Sequence, residues 1–568
     1  MKKYYISAVI AVLTFFLTGC ESYLDRDITT YLTFDQVTKS YDYTKNRVAA
    51  VYGNLPVGFT PIDGAMMASA SDEAEHTLET SAIHQFNIGS WNAFSNPDWS
   101  WGSCYRGIRK ANQFLVSADS VNLDIYKYDP TKEETYKFYK AEIKRWKYEV
   151  RFLRAFFHYE LMKRYGGIPI QTSAGSIDDD LSATRRNSLA ECIKFITDEC
   201  DTVARVLPEK HLNEDLGRIT KGAALALKSR VLLYAASDLY NTPAWAGGYA
   251  NPELISLTGD RQARWKAAAD AAKEVIDLAG AGYALSPDYP GLFGPSGFLD
   301  PEVIFCVRGF ASNYFELANV SVGFNNGQSG TTPSQNLVDA YEMNNGKAIT
   351  DPDSGYDPQN PYANRDPRLQ MTVVTNNSQF KGRAIQCWRG GLDGPPIART
   401  SRTGYYLKKY VNENLNLVTG ETSVHSWIVF RLAEIYLNYA EALNEYDPGN
   451  ADIKKYVELV RQRPGVNMPA LPDGMNQSQM RERIRNERKV ELAFEDHRLW
   501  DARRWMQAPA ILGAPLRGVK VTKNAIGTFN YQVITVENRA FAPEMYFYPI
   551  PQSEIFIAGG LVQNPLWK

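Results

Sequence analysis

Asp72, Glu73 and Glu75 crowd into one short polar stretch, SDEAEH. Paired carboxylates are what glycoside cleavage needs, one to protonate the leaving oxygen and one to attack or to activate water. Nothing nearby completes an active site of a recognisable kind. The sequence holds no HExxH for a metalloprotease, and its 6 histidines are scattered. No GxSxG marks a serine hydrolase. Neither GxxxxGK[ST] nor a GxGxxG after a strand offers a phosphate cradle. Asp351-x-Asp353-x-Gly355-x-Asp357 matches the first half of a calcium loop, but Tyr362 stands where an EF-hand places its bidentate Glu. Asx turns are the plainer reading. A structural calcium is the one inorganic ligand the stretch leaves room for, and no other cofactor is expected. His497, in Glu495-Asp496-His497-Arg498, reads as part of a paired helix face rather than as a metal ligand. A glycoside hydrolase therefore stays only as an alternative.

The aromatic residues carry a stronger signal. Phe, Trp and Tyr make up 12% of the chain, enough to fill a core and leave some for a surface. Gly89-Ser90-Trp91-Asn92-Ala93-Phe94 and Trp99-Ser100-Trp101 fall in or beside one region rich in Gly, Pro, Asn and Asp. Phe310, Tyr314, Phe315, Trp388 and Tyr405 fall in another. Aromatic faces stack on the apolar faces of sugar rings, while Asp, Asn and Arg beside them hydrogen-bond the hydroxyls. Trp101 is spaced with Tyr105, Ile108 and Asn112 as on one helix face, so it belongs to the core. Trp91, among Gly and Asn, is expected to be the stacking platform, with Asp72 and Asn92 as hydroxyl partners. Phe310, Tyr314 and Trp388 are expected to line the other side. Asp42, in Ser40-Tyr41-Asp42-Tyr43, is a secondary candidate.

These residues need a scaffold and a location. The net charge of −2 gives no pull toward nucleic acid, which favours strongly basic faces. A 44% hydrophobic share suffices for a full core. The N-terminus differs from the rest. Lys2 and Lys3 precede an apolar run from Tyr5 to Leu17, too short to span a membrane and of signal-peptide length. It ends in Leu17-Thr18-Gly19-Cys20, the pattern of a bacterial lipobox. Residues 1–19 are read as the export signal and Cys20 as the lipidated new N-terminus, tethering a soluble body to a membrane.

That body reads as mainly α. Helical periodicity runs over 131–165, opening on a T-x-x-E capping box at Thr131 and closing at Gly166-Gly167-Ile168-Pro169. Ser188-Leu189-Ala190-Glu191 is a second capping box. Helices follow at 220–240, 263–280, 427–446, 451–463 and 478–506. Small residues such as Gly222, Ala223, Ala226, Ala268, Ala269 and Ala272 stand where another helix must come close. Paired helices with this large/small alternation resemble tetratricopeptide units. The scaffold occupies mainly 30–52, 101–280 and 427–508. The stretches 53–100 and 281–425 lack clear helices and hold only short strand-like runs such as Val303–Val307. So long an irregular segment on a rigid frame is where binding function tends to sit. The charged run Arg481 to Arg504 reads as a solvated or inter-helix salt-bridge face. Cys192 and Cys200 lie about 12 Å apart along one helix, beyond disulfide reach. The internal cysteines are expected to be mostly buried thiols, with at most one bridge.

Cys20-Glu21-Ser22-Tyr23-Leu24-Asp25, Trp101 to Asn112, and Phe152 to Leu161 followed by Tyr165-Gly166-Gly167-Ile168-Pro169 together resemble the SusD/RagB family of lipoproteins. Pro333 to Tyr341, Arg365 to Leu369, Arg431 to Ala442, Ile484 to Arg498, Tyr548 to Ile555 and Gln563 to Trp567 extend the match over nearly the whole chain. The resemblance implies one domain over 20–568, with a tetratricopeptide-like scaffold carrying an irregular ligand face. It implies a cell-surface, outer-membrane lipoprotein that binds oligosaccharides, in some members peptides, without cleaving them. It also implies a partner, a TonB-dependent SusC-like transporter on which such proteins sit as a lid. The family's binding loops vary, so the site residues above rest on the aromatic argument alone.

Overall fold

A computed structural model describes residues 32–176, 178–211 and 215–567. The export signal and Cys20 lie outside the described residues. Helices of seven residues or more and strands of three or more are numbered here in chain order.

The scaffold is a continuous series of packed helices. Helix α1 (Tyr41–Tyr52) and α2 (Ser100–Ser117) lie on α3 (Glu133–Tyr165), which also packs on α4 (Leu189–Ala204). Helix α5 (Lys221–Ala236) bridges α4 and α6 (Arg261–Ile276). Helix α7 (Leu432–Tyr446) continues from α6 to α8 (Ala451–Arg461) and α9 (Gln477–Glu491). The Ser188 capping box forms as its sequence demands, Ser188 and Glu191 each serving the other's backbone N–H. Thr220 caps α5 by accepting from the Ala223 N–H at 3.2 Å. The small residues behave as expected. Ala223, Ala226, Ala268 and Ala272 are buried, and a Cβ at Gly222 would lie 2.1 Å from the Tyr283 hydroxyl.

The strands form small antiparallel pairs. Strand β1 (Ala74–His76) pairs with β3 (Thr331–Pro333), joining the two irregular regions. Strand β2 (Val303–Arg308) pairs with β4 (Ser426–Arg431), and β5 (Leu516–Lys523) with β6 (Phe529–Glu537).

Three local expectations are corrected. Residues 426–431 are strand rather than the start of a helix, because Trp427-Ile428-Val429-Phe430 is a β-branched and aromatic run that suits a buried pleat. Helix α3 opens at Glu133, and the box at Thr131 does not form. Asp129 instead accepts from the Thr131 N–H and caps a single 3-10 turn. The helix expected over 478–506 is two, α9 and α10 (Arg498–Arg504), separated by a turn in which Phe494 and Asp496 take φ of 62° and 65°.

The charged run Arg481 to Arg504 takes the second of its two readings, a salt-bridge face: its inner side forms a buried lattice of ion pairs between helices and loops. Arg431 reaches Glu302 at 2.6 Å, Glu491 at 2.7 Å and Glu495 at 2.6 Å. Arg368 pairs with Glu487 at 2.5 Å and Glu491 at 2.8 Å. Arg463 joins Glu302 at 2.9 Å and also binds Glu491. Burial raises the Glu491 carboxyl, but Arg463, Arg431 and Arg368 outweigh this and hold it far below the usual carboxylate range.

The five described cysteines are free and buried. The acidic loop at 351–357 is made of turns. Asp351 accepts from the Ala348 N–H at 2.9 Å, Asp353 pairs with Lys347, and Asp357 accepts from the Gln359 N–H at 2.9 Å. Among the described residues no cluster of His, Cys, Asp or Glu has the arrangement of a metal site.

Candidate functional site

A cleft of about 170 Å³ opens where the first irregular region meets the C-terminal end of α3. Its rim is Pro97-Asp98-Trp99, immediately before α2, and the segment Pro56-Val57-Gly58. Its walls are Tyr159, Glu160, Lys163 and Arg164 on α3, Arg230 and Tyr234 on α5, and Trp427 to Val429 on β4. Its floor is the turn Glu495-Asp496-His497 and Trp500 of α10. Gly58 is required there, since a Cβ would lie 2.2 Å from the Trp427 ring.

Each part is held in place by pairing behind it. Asp98 accepts from the Ser100 N–H at 3.2 Å, starting α2, and pairs through its other oxygen with Arg164 at 2.7 Å. This fixes Trp99 between them with 81% of its surface exposed. Glu160 lies 2.9 Å from Lys163 and 2.6 Å from Arg164. Burial raises its carboxyl, but the two cations outweigh that and bring it to about 2.

The floor turn is the strained part. A bulky residue at positive φ is uncommon, and Phe494 is one. The Glu73 carboxyl, pushed up to about 8 by burial and by Asp72 beside it, accepts its N–H at 3.4 Å. Asp72 grips the next segment, accepting from Arg498 at 2.7 Å and Lys489 at 2.9 Å. Burial raises the Asp72 carboxyl, and Arg498 and Lys489 more than reverse it. The turn thus presents Asp496 to the cleft. Its carboxyl is pushed up to about 6 by burial, with Lys163 and Arg164 opposing.

The residues expected to bind ligand are not gathered here. Trp91 is 2% exposed, enclosed by Phe86 at 5.0 Å and by Tyr548 and Trp567 at 4.9 Å each. It is a core residue with no free face, and the expectation of a stacking platform there is corrected. Asp72 is buried and fully engaged in ion pairs, so it supports the floor rather than meeting ligand. Glu75 is likewise buried and paired with Arg402 at 3.1 Å. Asn92 turns the chain, accepting from the N–H groups of Phe94 at 2.9 Å and Ser95 at 3.1 Å. Asp42 is exposed in the first turn of α1, about 15 Å of helix from the cleft end. Phe310 is 97% exposed and lines a separate groove with Tyr52 and Arg308. Tyr314 is exposed at the start of a short helix. Trp388 packs on Phe529 of β6 at 5.0 Å with the Lys523 ammonium 4.7 Å over its ring. Asp42, Asn92, Phe310, Tyr314 and Trp388 all lie outside the cleft lining. Trp99, Tyr159, Asp496 and Trp500 were missed. For Trp99 the signal was present, since it stands outside the helical spacing of Trp101, Tyr105 and Ile108.

A family model described as "SusD family" matches residues 307–567, and one described as "Starch-binding associating with outer membrane" matches residues 32–233. The chain belongs to the SusD/RagB family. SusD-like protein P2 of Formosa agariphila is 23% identical over 536 residues, covering 90% of this chain and 92% of that protein. A SusD-like protein from Bacteroides fragilis has a crystal structure that superposes with a TM-score of 0.77 at 26% identity, over 94% of this chain and 98% of that one. A laminarin-binding SusD-like protein superposes with a TM-score of 0.63 at 20% identity, over 93% of this chain and all (100%) of the other. The mainly helical architecture with small sheets is that of the SusD-like structures.

Proposed function

We propose that this SusD/RagB protein is a lipid-anchored glycan-binding protein of the bacterial cell surface. It captures oligosaccharides and passes them, uncleaved, to a TonB-dependent SusC-like transporter in the outer membrane. The observation that carries this reading is Trp99. It is a large aromatic face left 81% exposed at the rim of a cleft lined by apolar and hydrogen-bonding side chains together. An apolar platform beside hydrogen-bonding groups suits a sugar, which has an apolar ring face and a polar edge. Among SusD-like proteins of the same fold, one from Bacteroides fragilis is described as carbohydrate-binding and another as laminarin-binding, which supports the same reading.

The cleft is poorly equipped for hydrolysis. Glu160 is held by Lys163 and Arg164, and its carboxyl at about 2 removes it as a proton donor at neutral pH, while Asp98 is tied to Arg164 at 2.7 Å. Asp496 keeps a raised carboxyl, but glycoside cleavage needs a second, free carboxylate across the bond, and Glu160, Asp98 and Glu495 are all engaged in ion pairs.

Calorimetric titration of the protein with starch, laminarin and their oligosaccharides tests the reading, followed by mass analysis of the recovered sugar. Saturable binding with the oligosaccharide returned intact supports it. Shorter products would make the protein a hydrolase, and binding of peptides in place of glycans would move it to the peptide-binding branch.

A further inference from the structure

Three polar atoms at the cleft have no hydrogen-bond partner among the described residues: the Tyr159 hydroxyl, Trp500 Nε1 and Asp496 Oδ1. Tyr159 is 0% and Trp500 3% exposed. A buried polar atom left unpaired is costly, and a fold that keeps three beside one cavity invites a ligand to satisfy them. The charged atoms around them are already matched. Lys163 and Arg164 pair with Glu160, Arg164 with Asp98, Arg230 with Glu434 at 2.6 Å, and Glu495 with Lys409 and Arg431. What stays both buried and unpaired is therefore one hydroxyl, one indole N–H and one carboxylate oxygen, and the lining lysine and arginines are already matched, leaving none free to meet an acidic sugar. The space is also small. A volume of 170 Å³ is on the scale of one pyranose ring.

Resting on the glycan-binding reading above, we infer that the cleft takes a single uncharged sugar residue end-on. Tyr159, Trp500 and Asp496 read its hydroxyls, and Trp99 stacks on the residue behind it. The protein thus recognises the end of a neutral glycan rather than a length of its chain. An anionic sugar would set its charge against Asp496 without a compensating cation.

Asp496 sits at a positive φ that Asn tolerates, and Tyr159→Phe keeps the ring, so both variants retain the fold. The test is calorimetry on the full protein, its Tyr159→Phe, Asp496→Asn and Trp99→Ala variants, and thermal melts to verify folding. The probes are malto-, laminari-, cello-, xylo- and manno-oligosaccharides of two to six residues, with oligogalacturonides and sulfated carrageenan oligomers of equal length. The expected result is one neutral series whose Kd varies less than about threefold with length, with anionic series at least about tenfold weaker. Tyr159→Phe and Asp496→Asn should each weaken binding about tenfold, the scale of one hydrogen bond. Affinity that climbs steadily with each added residue overturns the inference, as does preference for anionic sugars. So does unchanged binding by both variants. In those cases loss of binding in Trp99→Ala leaves the glycan-binding reading standing. No binding of any probe by the unaltered protein overturns both.

Discussion

The lattice around Arg431 and Glu491 and the cleft beneath Trp99 are built from the same residue types, yet they treat polarity in opposite ways. In the lattice each guanidinium meets carboxylates from two or three segments, and Glu491 alone serves Arg368, Arg431 and Arg463. In the cleft the charges are paired too, but the neutral donors and Asp496 Oδ1 are left open. Satisfied polar groups define the fold, and unsatisfied ones define what it waits for. The two regions share the turn between α9 and α10, where Glu495 faces the lattice and Asp496 the cleft.

Removing a member of the lattice should have the largest effect. Glu491→Ala leaves three buried guanidinium groups short of charge and should cost about 3–5 kcal/mol, measured by urea unfolding. Close behind comes the contrast between two tryptophans in the same loop region. Trp91→Ala should lower stability by about 3–5 kcal/mol, as for a core aromatic. Trp99→Ala should shift stability by no more than about 0.5 kcal/mol. It should weaken glycan binding by about 1–3 kcal/mol, read by calorimetry. Reversal of that pattern would exchange the roles of core and platform.

Acid should act on the lattice and on the cleft wall together. Glu160 and Glu441 are both depressed to about 2, each by burial outweighed by its cations, Lys163 and Arg164 for one and Arg504 for the other. A depressed carboxyl contributes stability that is whole above its unfolded value near 4.5. That stability is lost as pH falls toward 2. Each group should account for about 3 kcal/mol of acid-induced loss, followed by denaturant midpoints from pH 6 to pH 2. The smallest effect concerns Asp496. It is faced by Glu160, Lys163 and Arg164 of α3 and by Asp98 before α2. Its raised carboxyl ionises near 6, and an ionised acceptor binds a hydroxyl more strongly. Glycan affinity should rise about threefold from pH 5 to pH 7, and Asp496→Asn should flatten the slope.

The long helices were legible because they are written locally. Ser188 and Thr220 mark helix starts, and the alanines of α5 and α6 mark the close contact. The break after α9 was not. Leu492 to His497 contains no Gly or Pro, and the turn there is imposed from outside by Glu73 and Asp72. The same cause hid the site. Trp91 has a loop-like neighbourhood in sequence, but Phe86, Tyr548 and Trp567 close over it from far along the chain. Trp99 has almost the same neighbourhood, and nothing closes over it. Local sequence sets helices and caps, while burial of a loop aromatic depends on partners that no local pattern names.

The grip of Asp72 on Arg498 joins positions 426 residues apart. Closing so long a loop is slow, because its ordering entropy must be met before the contact gives anything back. A ribosome that has released only the first four-fifths of this chain has made the rim and the α3 wall, but neither the floor nor its clamp. The cleft is therefore among the last parts of the molecule to exist. No fragment ending short of Trp500 should hold ligand.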